Sequence, residues 1–316
     1  MSTPLADGAS ETLGDWVRRA ANAMDSAGLH FGHGTAAAID EACWMAAHVL
    51  DLPPDFDNDR FDLTPTAEQR ARLASLLEQR IETRRPLAYL IGEAWFAGLR
   101  FRVTDDTLVP RSPLGELVVG GLLPWLDLNR PLRVLEVGTG SGCIAAALAW
   151  YWPALEIEAV DISEAALAVA ADNLRRLGVA DRVRLSCSDV YDALGDVRYD
   201  LVVSNPPYVP EASMRALPDE YRHEPVGALV AGADGLAIVR RLIAGAADHL
   251  APGGFLLVEV GEAAEAAEHL LADSEAIWLD FEHGGDGVFL LDRAGALAVD
   301  TARAVESIPA GDHDED

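Results

Sequence analysis

The chain has 316 residues, 50% of them hydrophobic, enough to bury a full core and to favour two domains over one. Its formal charge of -28 repels nucleic acid phosphates unless arginines gather locally, and all 24 basic residues are arginine because lysine is absent. No window has the apolar length of a membrane span and the opening MSTPLADGASETLGDW lacks the basic and apolar regions of a secretory signal, so the expected compartment is the cytoplasm.

The acidic balance reads as a solvation or salt adaptation, with steering of a basic protein partner as the other reading. Cys43, Cys143 and Cys187 are odd in number and far apart, matching neither a disulfide framework nor a paired metal motif. They are expected to be reduced core or near-core residues.

Three helices are expected between residue 10 and about residue 84. The first, ETLGDWVRRAANAMDSAG, ends at Gly28; the second, TAAAIDEACWMAAHVL, follows Gly34 with Thr35 as its cap; the third starts near Pro65 and Thr66. Ile39, Cys43, Ala46, Ala47 and Leu50 form an apolar stripe on the second helix. From 86 to 104 the period changes, and LAYLIGEAWFAGLRFRV, with Gly92 and Gly98, predicts a β-hairpin or two short strands. The domain boundary belongs there, giving a helical domain over 1–85, a hairpin linker over 86–105, a second domain over 106–293 and a flexible acidic tail over 294–316.

Beyond residue 131 strand-like and helix-like segments alternate. RVLEVG, EIEAVDI, VRLSCSDV, YDLVVSNPP and GGFLLVEV are strand candidates, and IWLDFEH with GVFLLDR adds a closing antiparallel pair. This order predicts an α/β fold, an open and mostly parallel sheet with helices on both faces, whose ligands gather at the carboxyl ends of the strands.

EVGTGSG, residues 136–142, sits behind the first of these strands and opens the helix CIAAALAW. Gly138, Gly140 and Gly142 allow a tight turn and close approach of a ligand to the backbone. A dinucleotide fingerprint would place its third glycine at Cys143, and a phosphate loop would need lysine, so a small cofactor without a pyrophosphate fits better. Glu136, Asp161 and Asp189 stand at three strand ends above the turn. Singly each reads equally as a helix cap or a solvated loop residue; together they favour a nucleoside and amino-acid cofactor such as S-adenosylmethionine.

One strand further lies LVVSNPPYVP, residues 201–210. Pro206 and Pro207 lack N–H groups and stiffen the exit from the strand. The Asn205 side-chain oxygen and the Pro206 carbonyl then form two close acceptors suited to one planar NH2 group, with Tyr208 as a wall or stacking surface. A rigid strand-to-loop turn is the plain alternative.

NPPY behind a strand, with EVGTGSGCIA upstream, resembles the class I S-adenosylmethionine-dependent methyltransferases that modify planar NH2 groups, which include adenine-modifying DNA enzymes and protein-glutamine enzymes. PLAYLIGEAWFAGLRF, VPRSP, AVDIS, NPPYV, EYRHEP, ADGL and FEHGGDGVFLL carry a closer resemblance, over nearly the whole chain, to the HemK-type protein-glutamine methyltransferases. GHGTAAAIDEA, the serine-containing PRSP and EYRHEP look like the branch that methylates a glutamine of large-subunit ribosomal protein L3. Ser112 and Pro113 argue against the release-factor branch.

The resemblance implies an N-terminal helical domain for recognition of a protein substrate, a β-hairpin hinge and a Rossmann-like catalytic domain with a mostly parallel seven-stranded sheet. It implies Glu136, Gly138 and Gly140 around the methionine part of S-adenosylmethionine, Asp161 at the ribose and Asp189 near adenine, with Thr139, Gly142, Ile162 and Asn205 also at the cofactor, and Asn205, Pro206, Pro207 and Tyr208 at the substrate amide. It places Arg111 at the rim, where a surface salt bridge is the plain alternative, and Glu224 with Pro225 in a lid after NPPY, where an ordered crossover is the alternative. His30 and His33 read as packing residues, and no metal is expected. The expected substrate is ribosomal protein L3, free or within an assembling large subunit, with no direct DNA binding and no membrane. The alternatives are glutamine methylation of release factors, adenine methylation of DNA, and a catalytically silent binding or assembly module.

Overall fold

A computed structural model describes residues 11–282 and 284–302. The chain divides into two compact units, Met1–Glu93 with Pro218–His223, and Ala94–Leu217 with Glu224–Asp316.

The first unit is helical. Helix α1 (Leu13–Ser26) begins behind Thr12, whose side chain accepts from the Asp15 N–H while the Asp15 side chain accepts from the Thr12 N–H. Helix α3 (Ala67–Thr83) has the same reciprocal cap, made by Thr66 and Gln69; α2 (Ala38–Leu50) lies between them, and the one-turn α4 (Leu87–Ile91) follows. Trp16, Met24, Met45, Leu73 and Leu77 close the core between these helices.

An ion-pair cluster is buried beside this core. Arg80 Nε donates to Glu41 at 2.6 Å, and Arg84 Nη2 stands 3.1 Å from Glu220, which belongs to the segment 218–223 that the later chain returns to this unit. Burial opposes the charge of Glu220, but the backbone N–H groups of His30 and of Glu220 itself, then Arg84 and Arg80, outweigh it and hold the carboxyl below its usual range. The EYRHEP motif thus places its first acid in the helical unit and its second, Glu224, in the other.

The second unit opens with a hairpin, β1 (Glu93–Phe96) and β2 (Leu99–Arg102), turned at Ala97 and Gly98 with φ of 50° and 72°. Chain order continues with α5 (Leu114–Gly120), β3 (Arg133–Val137), α6 (Cys143–Tyr151), β4 (Glu156–Asp161), α7 (Glu164–Arg176), β5 (Val183–Cys187), β6 (Tyr199–Ser204), α8 (Ala237–His249), β7 (Leu250–Glu259), α9 (Ala264–Leu270), β8 (Ile277–Trp278), β9 (Val288–Asp292) and α10 (Arg293–Ala298). The seven strands from β3 to β9 form one sheet in the order β5-β4-β3-β6-β7-β9-β8. The first five strands in that order run parallel, and β9 pairs antiparallel with both β7 and β8.

Alternate residues of each central strand serve two cores. Val134, Leu201, Val203 and Leu257 pack with Leu114, Ile144 and Leu148 on one face. Leu135, Val137, Val202, Leu256 and Val258 pack with Val239, Leu242 and Ile243 on the other. Two covered faces explain why the strands read as continuous apolar runs.

Several local expectations shift. Helix α2 starts at Ala38 with Ala37 at its cap position and no side-chain cap, so Thr35 does not cap it; Gly32 and Gly34, both at positive φ, turn the chain before the helix begins. Of the expected stripe, Ala46 and Ala47 are buried and Cys43 and Leu50 pack partly buried against the core, whereas Ile39 is 43% exposed; the buried face extends through Ala38, Glu41, Ala42, Met45 and Val49. A helix so rich in alanine has no sharp apolar stripe, and the Arg80 pair turns Glu41 inward. Residues 87–91 form a helical turn closed by left-handed Gly92 instead of a strand. Residues 294–298, expected in the flexible tail, belong to helix α10, which starts at Arg293, is capped by Asp292 and is seated through Ala296; the tail from 303 lies outside the described residues. Cys43 is half-buried and Cys143 buried, but Cys187 is exposed.

Candidate active site

The parallel strands β4, β3, β6 and β7 deliver Asp161, Glu136, Asn205 and Glu259 at or just beyond their carboxyl ends. The glycine turn is folded down onto β4: the N–H groups of Gly138 and Thr139 donate to the Val160 carbonyl at 2.8 and 3.0 Å. Gly138 and Gly140, at φ of 74° and 54°, have open space where a Cβ would stand, as a backbone cradle for a ligand requires. A Cβ on Gly142 would meet Ala170 at 2.9 Å, so this third glycine serves the close contact of α6 with α7.

Glu136 is buried, and its Oε2 accepts from Thr139 Oγ1 at 2.7 Å and from the Ala145 N–H at 2.9 Å. Burial pushes its carboxyl up to about 8, although those two bonds favour the charged form. Its observed role is to bind the turn to the first turn of α6. Asp161 braces the same turn, accepting from the Gly140 N–H through one oxygen and from the Ser163 N–H through the other, each at 2.8 Å. Carboxylate oxygens have two lone pairs each, so these bonds leave acceptor capacity at the crevice. Ile162 beside it is 68% exposed, an apolar surface at the rim. Asp189 points to α8, where Arg241 Nη1 donates to it at 2.7 Å.

Asn205 continues β6, and its Oδ1 is buried with no hydrogen-bond partner among the described residues. An acceptor in that state loses its bonds to water without replacement, which is costly unless a ligand supplies the donor. The loop after it is braced: Val209 pairs with Val230, and the Val209 N–H donates to the Leu229 carbonyl at 2.8 Å. Tyr208 is clamped by glycines of the neighbouring loops. A Cβ on Gly235 would stand 2.1 Å from the Tyr208 carbonyl oxygen, and one on Gly261 would stand 2.7 Å from its ring. The Tyr208 hydroxyl donates to Glu259 Oε1 at 3.3 Å; burial raises its pKa, so it remains a donor at neutral pH.

Sequence reasoning missed Glu259. It ends β7 buried at 4% exposure, takes a very short hydrogen bond from Ser112 Oγ as well as the Tyr208 bond, and its carboxyl is shifted upward by burial. The signal was present in GGFLLVEV, an apolar strand ending in an acid like its neighbours, but the strand order that sets it beside Asn205 was not. The PRSP segment is thereby part of the site: Ser112 holds Glu259, and Pro113 packs so closely under Gly285 that a Cβ there would lie 2.6 Å away.

Arg111 and Glu224 form a bidentate pair at 2.6 and 2.8 Å, and Glu224 also accepts from the Val109 N–H at 3.2 Å. Glu224 is therefore a buried anchor and not part of a lid, and the salt bridge of Arg111 holds the loop that leads to Ser112. His30 and His33 lie in the helical unit with their rings 5.5 and 4.6 Å from that of Tyr221, as packing residues. No cluster of three or more metal-ligating side chains occurs among the described residues.

The Methyltransferase small domain model matches residues 121–217, and the PrmC N-terminal domain model matches residues 15–92. The chain is 42% identical over 284 residues to the ribosomal protein uL3 glutamine methyltransferase of Bordetella pertussis, covering 90% of this chain and 95% of that one. It is 41% identical over 295 residues to the protein of the same name from Xanthomonas campestris, covering 93% and 95%. Among solved structures, a methyltransferase from Pyrococcus furiosus aligns with a TM-score of 0.43 at 18% identity, covering 70% of this chain and 97% of that one. Identity at this level across both units shows that the chain belongs to the family of ribosomal protein uL3 glutamine methyltransferases.

Proposed function

We propose that this protein transfers a methyl group to the side-chain amide nitrogen of a glutamine in ribosomal protein uL3. The observation that carries the reading is the buried, unpartnered Oδ1 of Asn205 at the end of β6, between the strand that ends in the glycine turn and the strand that ends in Glu259. The methyl donor is S-adenosylmethionine, which supplies an electrophilic methyl on a sulfonium. The open backbone at Gly138 and Gly140, the remaining acceptor capacity of Asp161 and the exposed Ile162 fit such a group. Under this reading Glu136 and Thr139 shape the turn from within, and Asp189 lies toward the adenine side with Arg241 as its partner.

The chain's own contribution is positioning. Asn205 Oδ1 and the Pro206 carbonyl each accept one hydrogen of the glutamine NH2, which sets the nitrogen lone pair in one direction. Pro206 and Pro207 keep that pair of acceptors from drifting, and the glycine clamp keeps Tyr208 as a wall against water. An amide nitrogen is a weak nucleophile, so orientation and desolvation supply more of the rate than a base would.

The helical unit, matched by its own family model, is the part we assign to recognition of the protein substrate. No helix among the described residues is long and apolar enough to cross a membrane, and we place the protein in the cytoplasm with uL3, free or within an assembling large subunit, as partner. A chain of net charge -28 without lysine is a poor DNA ligand and an apt partner for a basic protein.

The test supplies purified protein with isotopically labelled S-adenosylmethionine and, in parallel, unmethylated uL3, release factors and DNA. Label on a uL3 glutamine supports the reading. Label confined to release factors or to adenine overturns it.

A further inference from the structure

We propose that Glu259 is a positioning residue that sets which way the Asn205 amide faces, and so makes the site select an amide NH2 and reject a carboxylate. The inference rests on the glutamine reading above. The oxygen and NH2 of an asparagine side chain have nearly the same shape, and only neighbours of defined hydrogen-bonding character tell the two orientations apart. Asn205 needs such a neighbour because its working atom is one end of that amide.

Glu259 occupies the right place. In the β6–β7 ladder Ser204 pairs with Val258, so the next residues, Asn205 and Glu259, leave adjacent strand ends side by side. Glu259 is itself fastened at both oxygens, by Ser112 Oγ at Oε2 and by the Tyr208 hydroxyl at Oε1. Ser112 is in turn held in place by donation from the Leu114 N–H to its Oγ at 3.1 Å. Burial pushes this carboxyl up, but the Asn205 side chain is among the groups that hydrogen-bond to it, and because Asn205 Oδ1 has no partner among the described residues that bond runs from the Asn205 NH2, with Glu259 as its acceptor. Asn205 Oδ1 is left buried and unpartnered, as the outward-facing end.

Reversing the amide would set its oxygen against the Glu259 carboxylate, two acceptors face to face, and offer an NH2 to the substrate. That reversed site suits a carboxylate or carbonyl oxygen. Glutamine and glutamate side chains differ in this one respect, so the orientation of Asn205 is a specificity device. Sites built around a buried hydrogen-bonding group discriminate strongly because the wrong ligand leaves that group unpaired.

Glu259→Gln removes the acceptor-only neighbour at constant size, since a glutamine can donate to Asn205 Oδ1 and let the amide turn. The readouts are methylation of uL3, S-adenosylmethionine affinity by calorimetry, and inhibition by uL3 whose target glutamine has been replaced by glutamate. The expected result is a fall in kcat of about 10²-fold with cofactor affinity and melting temperature near wild type. The glutamate form of uL3 should inhibit E259Q roughly tenfold or more better than it inhibits the wild type. Selective binding of the glutamate form is an effect that a merely structural role for Glu259 would not produce.

Wild-type turnover in E259Q, or unchanged inhibition by the glutamate form, overturns the proposal, as does loss of turnover accompanied by loss of cofactor affinity. If E259Q does not fold, Glu259→Asp carries the test. It withdraws the carboxylate by one methylene, and turnover is expected to fall while the cofactor binds as before; unaltered turnover overturns the proposal. A wild-type protein that leaves every uL3 glutamine unmodified is a different failure, since it removes the functional reading and this inference with it.

Discussion

The carboxylate of Glu224 takes both arms of the Arg111 guanidinium, at 2.6 and 2.8 Å, with no exposed side-chain surface of its own. Because Glu224 also accepts from the Val109 N–H, the pair fastens residues 109–111 immediately before Ser112, which holds Glu259. Removing Arg111 alone strands a buried charge. Arg111→Ala is expected to destabilise the protein by about 3–5 kcal/mol, and the Arg111→Met, Glu224→Leu double variant by less. Urea unfolding of the three proteins checks this order, and a double variant worse than R111A would contradict it.

Asn205→Ala should retain most of the cofactor affinity and lose turnover by roughly 10²–10³-fold, the scale seen when one aligned hydrogen-bonding group is removed from a reacting centre. Asp161→Ala should do the reverse, weakening S-adenosylmethionine binding, since it removes a crevice acceptor and the brace on Gly140. Calorimetry beside single-turnover kinetics separates the two. Equal cofactor loss in both variants would show that the two side chains do not divide the work this way.

Gly261, at φ 44°, leaves room for the Tyr208 ring that a Cβ would invade at 2.7 Å. Gly261→Ala is therefore expected to displace Tyr208 and lower kcat by at least about tenfold with the protein still folded. Steady-state kinetics with near-ultraviolet circular dichroism tests it; a normal kcat would mean the ring position is immaterial.

Glu136 gives a pH signature. Its carboxyl rises from 4.5 to about 8 on burial in the folded protein, so the folded state holds the proton more tightly than the unfolded chain does. The resulting stabilisation is complete below the unfolded value and is lost as pH rises through about 8. Across that interval Glu136→Gln should lose less stability than the cofactor-free wild type, by a difference on the order of a few kcal/mol. Parallel melting curves for the two proteins at intervals between pH 5 and 9 measure it, and parallel slopes would refute the assignment.

Much of the catalytic unit was legible because two-sided burial writes itself as apolar runs and because each strand end is punctuated by an acid, a glycine or NPPY. Those features marked Glu136, Asp161 and Asn205 and predicted a parallel sheet closed by an antiparallel pair. Residue relationships that depend on strand order were not legible. Glu259 lies beside Asn205 because β7 follows β6 in the sheet, and Ser112 reaches it from 147 residues away. The same holds for Glu220, which sits in the helical unit because the short segment Pro218–His223 returns to it although the chain on either side belongs to the other unit. The buried face of α2 was read in part, with Ile39 wrongly set inward and Glu41 left out, because alanine contributes little contrast and the inward acid is paired with Arg80 across 39 residues.

The most direct test of the central claim is peptide mass spectrometry of uL3 from cells lacking this protein, complemented with wild type or with Asn205→Ala. The account predicts one methyl on a single glutamine side chain with the wild type and none with N205A. A methylated glutamine in the N205A cells, or a wild-type strain whose uL3 carries no methylglutamine, would contradict it.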